Sequence, residues 1–194
     1  MPRLLKQKLL FLIVFVSLII SAGFCQELTP GQLISPEEYA VYSVLLGGSD
    51  SLIVIKDRTG IRGDSVSPDL AEYFEKTSSV ALDKGLMNEF ANLNNTASLK
   101  LENKFQESLK VRLISEKDQQ DIFEEDNGWE IFRQKYPNAC LIGFSRVAFN
   151  AAKDTAFVYT DIMCDELAGR GQYLLLKKEN AKWVIVAHVR AWIS

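Results

Sequence analysis

The chain predicts an α+β domain: N-terminal helices packed on an antiparallel sheet that ends in a four-strand meander. Three observations carry that expectation. Helix caps punctuate the first half, from Ser35-Pro36-Glu37-Glu38 to Ser115-Glu116-Lys117-Asp118. From Cys140 onward the residues alternate and turn β-branched, the pattern of strands with one face on a core. Finally, 194 residues, 47% hydrophobic and 24% charged, make one domain with a real core and too little chain for two comfortable ones.

The chain opens MPRLLKQKLLFLIVFVSLIISAGFCQE. Arg3, Lys6 and Lys8 form a basic start, Leu9 to Ile20 is apolar with a single serine, and Ser21, Ala22 and Gly23 supply small residues. That is the grammar of a secretory signal peptide over residues 1-25, leaving a single domain over 26-194. Cleavage after Gly23 or after Cys25 satisfies the small-residue rule. The uncharged stretch Leu9 to Cys25 falls short of the roughly 20 residues of a spanning helix, so no stable membrane insertion is expected once the leader is removed. Left uncleaved, it would anchor the protein to a membrane. Phe24 before Cys25 is a poor match to a lipoprotein signal. The address is therefore secreted or periplasmic.

The leader holds three of the 22 basic residues and none of the 25 acidic ones, so its removal takes the net charge from −3 to −6. A mildly acidic exported domain without a basic stripe is not a nucleic-acid binder.

Ser35 caps a helix with Pro36 at its first position and Glu38 closing a capping box. It should run through Tyr39, Val41, Tyr42, Leu45 and Leu46 and stop at Gly47-Gly48. Ser51 to Ile55 is a short β-branched strand, and Asp57 to Asp64 a glycine-punctuated loop. Inside that loop, Arg62-Gly63-Asp64-Ser65 spells an integrin-recognition tetrapeptide, but glycine and aspartate are what any turn prefers. Ser67-Pro68-Asp69 opens a second helix, and Leu82, Leu86, Phe90 and Leu93 stripe a third. Asn94-Asn95-Thr96 is a glycosylation sequon, meaningful in a eukaryotic secretory pathway. Leu109 to Ile114 reads as a strand, and Asp126-Asn127-Gly128 breaks the chain. A short helix follows with Trp129, Phe132 and Tyr136 along one side, ended by Pro137. The meander is then LIGFSRVAFN, TAFVYTDIMC, GQYLLLKK and KWVIVAHVRAWIS, joined at Ala151-Ala152-Lys153, at CDELAGRG and at Glu179-Asn180-Ala181.

The segments GWEIFRQKYPNA, GFSRVAFN and KKENAKWVIVAHVRAWIS, in that order, resemble the C-terminal half of a group of uncharacterised secreted bacterial proteins. The resemblance covers roughly residues 110 to 194 and, more loosely, the EEYAVYSVLL helix. It implies an export address and an α+β domain, and no assigned activity comes with it. The group's pattern has glycine where Ala148 and Ala181 stand, and Ala181 speaks against a tight Asn-Gly type of turn.

The stretch CDELAGRGQY, residues 164 to 173, holds a cysteine, two acids and a G-x-G. A phosphate-cradling glycine loop opens a helix, whereas this one leads into the strand-like Gln172 to Leu176. A hairpin joined by an odd-length loop around Ala152 sets Val147 opposite Phe157, Ser145 opposite Tyr159, and Cys140 opposite Cys164. Such opposition permits a disulfide, and an exported protein meets an oxidising compartment. Asp165 and Glu166 would raise the pKa of a free Cys164, which argues against a nucleophile there.

His188 is the only histidine, which excludes a paired-histidine zinc site. The acidic FEEDNGWE puts Phe123 where an EF-hand needs its first ligand. No metal, cofactor or catalytic residue is assigned. Continuing the hairpin register, one sheet face collects Ile142, Phe144, Val158, Ile162, Leu174, Leu176, Trp183, Ile185, Ala187 and Val189, with Arg146 the exception. The other collects Ser145, Tyr159, Asp161, Tyr173, His188 and Arg190 among Val147, Phe157, Leu175 and Trp192. That mixed face is a half-solvated sheet or a ligand face for an unknown small molecule or protein, with Tyr173 opposite His188 at its centre. The function expected is a non-catalytic envelope or secreted binding domain. The alternative is a small enzyme using Asp161, Tyr173 and His188 for acid–base chemistry. Helices followed by a meander suit a cystatin-like or NTF2-like architecture, an analogy of fold alone.

Overall fold

A computed structural model describes residues 33–47, 51–63, 66–96 and 98–194. The leader and both of its cleavage points lie outside the described residues, as does Asp64 of the Arg-Gly-Asp sequence. Leu33–Ser194 forms one compact unit of α+β class.

Helix α1 (Pro36–Leu46) starts where the capping box places it: Glu38 N–H donates to Ser35 Oγ at 3.2 Å, and Ser35 N–H to Glu38 Oε2 at 2.9 Å. It stops at Gly47, whose φ of 64° suits a residue without Cβ. Strand β1 (Ile53–Lys56) leads to α2 (Leu70–Ser78) and α3 (Lys84–Asn94), then to β2 (Val111–Ile114). Helices α4 (Glu116–Phe123) and α5 (Gly128–Lys135) precede β3 (Leu141–Phe144) and the short β4 (Ala148–Phe149). Three long strands close the chain: β5 (Thr155–Asp165), β6 (Ala168–Glu179) and β7 (Lys182–Ile193).

The sheet runs β2-β1-β3-β5-β6-β7, with β4 beside β5. The antiparallel expectation holds for the meander and fails at the other end, because β1 pairs with both β2 and β3 in parallel. The reason is connectivity: two pairs of helices separate β1, β2 and β3, and such crossovers return the chain in the same direction.

The first meander strand is two strands. Between β3 and β4 the chain bulges at Ser145, Arg146 and Val147, where Ser145 Oγ takes the Tyr159 N–H at 2.8 Å. The turn that follows closes with Asn150 N–H on Thr155 O at 3.1 Å, so the connection Ala151–Asp154 is even, not odd. Ala148, not Val147, therefore faces Phe157. The bulge absorbs the extra residue, and beyond it Leu141 faces Met163 and Gly143 faces Asp161. Cys140 and Cys164 accordingly meet in a disulfide with Cα atoms 4.2 Å apart.

The β6–β7 turn corrects a second expectation. Asn180 and Ala181 sit alone between Glu179 and Lys182, with φ of 49° and 64°. Two positive φ values are the mark of a tight type I′ turn, here built with alanine where glycine is usual.

Both sheet faces are covered over most of their extent. On one, α1 packs Tyr39, Val41 and Tyr42 against Phe144, Val158, Leu174 and Leu176, with Tyr42 stacked on Phe144 at 4.6 Å. The Arg146 guanidinium meets Glu38 there, Nε donating to Oε1 at 2.7 Å and Nη2 to Oε2 at 3.2 Å, with side chains only 8% and 2% exposed. On the other face, α2 and α3 cover Phe157, Tyr159, Leu175 and Val189. Phe74 and Phe90 both meet Phe157 edge-on, at 5.2 and 5.0 Å. Burying a ring of that size contributes roughly 1.5–3 kcal/mol. Helices α4 and α5 cover Val54, Ile114 and Leu141 on this same face, in a separate cluster. The mixed face of the sequence reading is thus mostly core. What stays open is the gap between the two helix pairs.

Candidate functional site

In that gap a polar row crosses the sheet. Asp161 on β5 faces Gly143 on β3 and Gly171 on β6, and Gly171 faces Trp192 on β7. Lys56, at the end of β1, reaches over Gly143 to Asp161, with Nζ 3.0 Å from Oδ1 and 3.1 Å from Oδ2. The glycines make this possible. A Cβ on Gly143 would stand 2.5 Å from Asp161 Oδ1, and one on Gly171 would stand 2.1 Å from Trp192 Nε1 and 2.6 Å from the Tyr159 hydroxyl. Glycine inside a strand often marks such a close approach.

Across Gly171, Trp192 Nε1 donates to the Tyr159 hydroxyl at 2.7 Å. Arg62 lies over the Trp192 ring, its guanidinium carbon 4.2 Å from the centroid. The segment carrying Lys56, Arg58 and Arg62 is tied down by its backbone: Thr59 N–H bonds Leu99 O at 2.9 Å, and Gly60 N–H bonds Phe144 O at 2.8 Å. Lys56, Arg58, Arg62, Asp161 and Trp192 line a cleft of about 360 Å³ with Ile61, Phe144 and Met163. A second cavity of about 280 Å³ adjoins across Arg62 and Trp192, walled by Tyr73, Tyr159, Tyr173 and Leu70. A third, of about 370 Å³, opens from Lys56 and Arg58 toward Glu116 and Gln119 at the start of α4.

Burial pushes the Tyr159 hydroxyl up to about 12, outweighing the Trp192 N–H that lowers it. Burial also raises Tyr173. Both are neutral phenols near pH 7.

The expected ligand-face residues divide. Tyr159, Asp161 and Tyr173 share the helix-covered face, with Tyr159 opposite Tyr173. His188 and Arg190 do not join them. The ladder slips one residue at Val186, so His188 faces Leu174 and Arg190 faces Gln172; a second slip at Ala191 returns Trp192 to the face of Tyr173. Both point to the opposite side of the sheet, where they are exposed. The Tyr173–His188 pair is therefore not formed; Tyr173 faces Val189 instead. An acid–base set of Asp161, Tyr173 and His188 has no common space to act in. Among the described residues, no group of three metal-ligating side chains gathers.

Two sequence features are absorbed by structure. Asn94 of the sequon donates through Nδ2 to Phe90 O at 2.9 Å and Arg146 O at 3.2 Å, and accepts the Arg146 N–H at 2.8 Å, so its amide is engaged. Arg62 of the Arg-Gly-Asp sequence is stacked on Trp192 rather than presented on a free loop tip.

Sequence reasoning missed Lys56, Arg58, Arg62, Gly143 and Gly171. The signals were present. Three cations fall within KDRTGIR, directly after a strand, and glycines interrupt LIGF and GRGQY at positions facing Asp161. The chain matches no protein-family model, no curated protein and no solved structure.

Proposed function

We propose that the chain is an exported, non-catalytic binding domain that takes a small ligand in the cleft between the two helix pairs, beside Trp192. The observation that carries this reading is the glycine-spaced polar row. The fold keeps a lysine, an aspartate, a tyrosine and a tryptophan together on a face otherwise packed with apolar side chains, and leaves open space above them. Apolar walls with a few fixed polar groups are how small-molecule sites are built. Export is supported by the leader-like N-terminal sequence and by the Cys140–Cys164 bond, which persists in oxidising compartments.

Two measurements test it. Intact mass of the protein recovered after export should show loss of the residues up to Gly23 or Cys25, with Cys140 and Cys164 refusing alkylation until reduced. A retained N-terminus would refute secretion. An NMR fragment screen should give hits that move the amides of residues 56 to 62 and the indole of Trp192. Hits that move only residues remote from the cleft would refute the site.

A further inference from the structure

The geometry points to a ring-bearing carboxylate as the ligand class, its ring in the tyrosine-walled cavity and its carboxylate on Arg62. The inference rests on the cleft being the binding site, and deepens that reading from the balance of donors and acceptors.

The cleft carries charge of the opposite sign to the chain. Lys56, Arg58 and Arg62 line it against Asp161, and Asp69 lines the adjoining cavity, which leaves a net +1 over the two in a protein whose formal net charge is −3. Asp161 already accepts from Lys56 through both oxygens. Arg58 has Ser98 O at 3.3 Å and an exposed Glu116 at 3.4 Å, contacts that solvent screens. Arg62 has no carboxylate partner among the described residues; its guanidinium lies over the indole of Trp192. Stacking holds a guanidinium flat and leaves its N–H edge directed outward, the geometry that takes a carboxylate with two parallel hydrogen bonds. Little side-chain freedom is then left to lose on binding.

Tyr159 adds an independent observation. Its residue is 1% exposed, its oxygen accepts from Trp192 Nε1, and its own proton has no acceptor among the described residues. That proton is free to be donated to a group that enters the cavity Tyr159 lines. With its pKa raised to about 12, it stays a donor throughout the physiological range. Tyr159 lines the 280 Å³ cavity, which adjoins the cationic cleft across Arg62 and Trp192. That cavity offers tyrosine rings and Leu70 as walls, suited to a single flat ring, and Ser67 and Asp69 line it as well, so the ligand's carboxylate belongs on its Arg62 side. Donors in excess beside an aromatic slot select an anion with a ring.

The test uses three probes on the exported protein: benzoate, its neutral isostere benzamide, and acetate, which has the charge without the ring. The readout is the Trp192 indole resonance, assigned by its loss in Trp192→Phe, with the Trp183 indole as an internal control. Benzoate should shift Trp192 saturably, with a Kd at least tenfold below that of either other probe, and leave Trp183 unmoved. Arg62→Gln, a change on an exposed loop residue, should abolish the preference for benzoate over benzamide. Tyr159→Phe should weaken benzoate several-fold. Benzamide binding as tightly as benzoate would overturn the inference and leave the cleft reading standing. If no probe moves Trp192 while fragments bind elsewhere, both fall.

Discussion

Two charge pairs, one on each face of the same sheet, show how similar chemistry serves different ends. Glu38 and Arg146 are sealed. Glu38 also takes the Ser35 and Val147 N–H groups, so that α1, its own cap and the β3–β4 bulge converge on one carboxylate. Lys56 and Asp161 are 28% and 10% exposed and sit at the floor of an open cleft, with glycines on either side of the aspartate. The first pair is walled in by the groups that complete its hydrogen bonds, and holds the fold. The second has open space beside it, where we propose that a ligand binds. The surroundings of a charge, more than the charge itself, separate a structural group from a functional one.

The comparison can be broken most sharply at the sealed pair. Arg146→Met should cost about 3–5 kcal/mol, because it strands a buried carboxylate, and Glu38→Met combined with it should recover much of that loss. Urea unfolding checks both; a loss below about 1 kcal/mol in the single variant would mean the pair is not sealed. Replacing both Cys140 and Cys164 by serine removes the clamp next to the cleft. For a separation of 24 residues the chain-entropy account gives a loss of about 3.5 kcal/mol, read by the same unfolding curves.

At the open pair the expected cost is smaller. Lys56→Met should lower stability by about 1 kcal/mol, since water in the cleft solvates the carboxylate left behind. A loss equal to that of Arg146→Met would erase the distinction. Ala181→Gly serves as a control remote from both pairs. Relieving a left-handed alanine should raise stability by about 1 kcal/mol and leave benzoate affinity unchanged.

The smallest effect near neutrality comes from Tyr159 and grows with alkali. Its folded pKa is raised, so its contribution is fully present below the unfolded value near 10 and is lost as pH climbs through about 12. Stability measured from pH 9 to 12 should fall more steeply in the wild type than in Tyr159→Phe. Equal slopes would show that the hydroxyl is not held in a buried site.

Local signals in the sequence carried most of the elements. Ser35 and Ser115 cap the helices they predicted, and Cys140 meets Cys164. That disulfide was reached through the wrong turn parity: the even connection at Ala151–Asp154 shifts the ladder by one, and the bulge at Ser145–Val147 shifts it back. The candidate site suffered from the same physics without the compensation. Alternation transmits a face along a strand only while the ladder is unbroken, and the slip at Val186 carried His188 and Arg190 to the opposite side. Lys56 could not be placed from sequence at all, because its partner Asp161 lies 105 residues away across parallel pairings that local patterns do not encode.

The most direct test of the account is urea unfolding of the wild type and of Arg62→Gln, each with and without benzoate at 100 times its wild-type Kd. A ligand that binds only the folded state should raise the wild-type unfolding free energy by about 2.7 kcal/mol under these conditions. Arg62→Gln should match the wild type without benzoate and gain little from it. If the variant keeps the full gain, the ligand does not bind at Arg62, and the cleft beside Trp192 is not where this protein selects an anion.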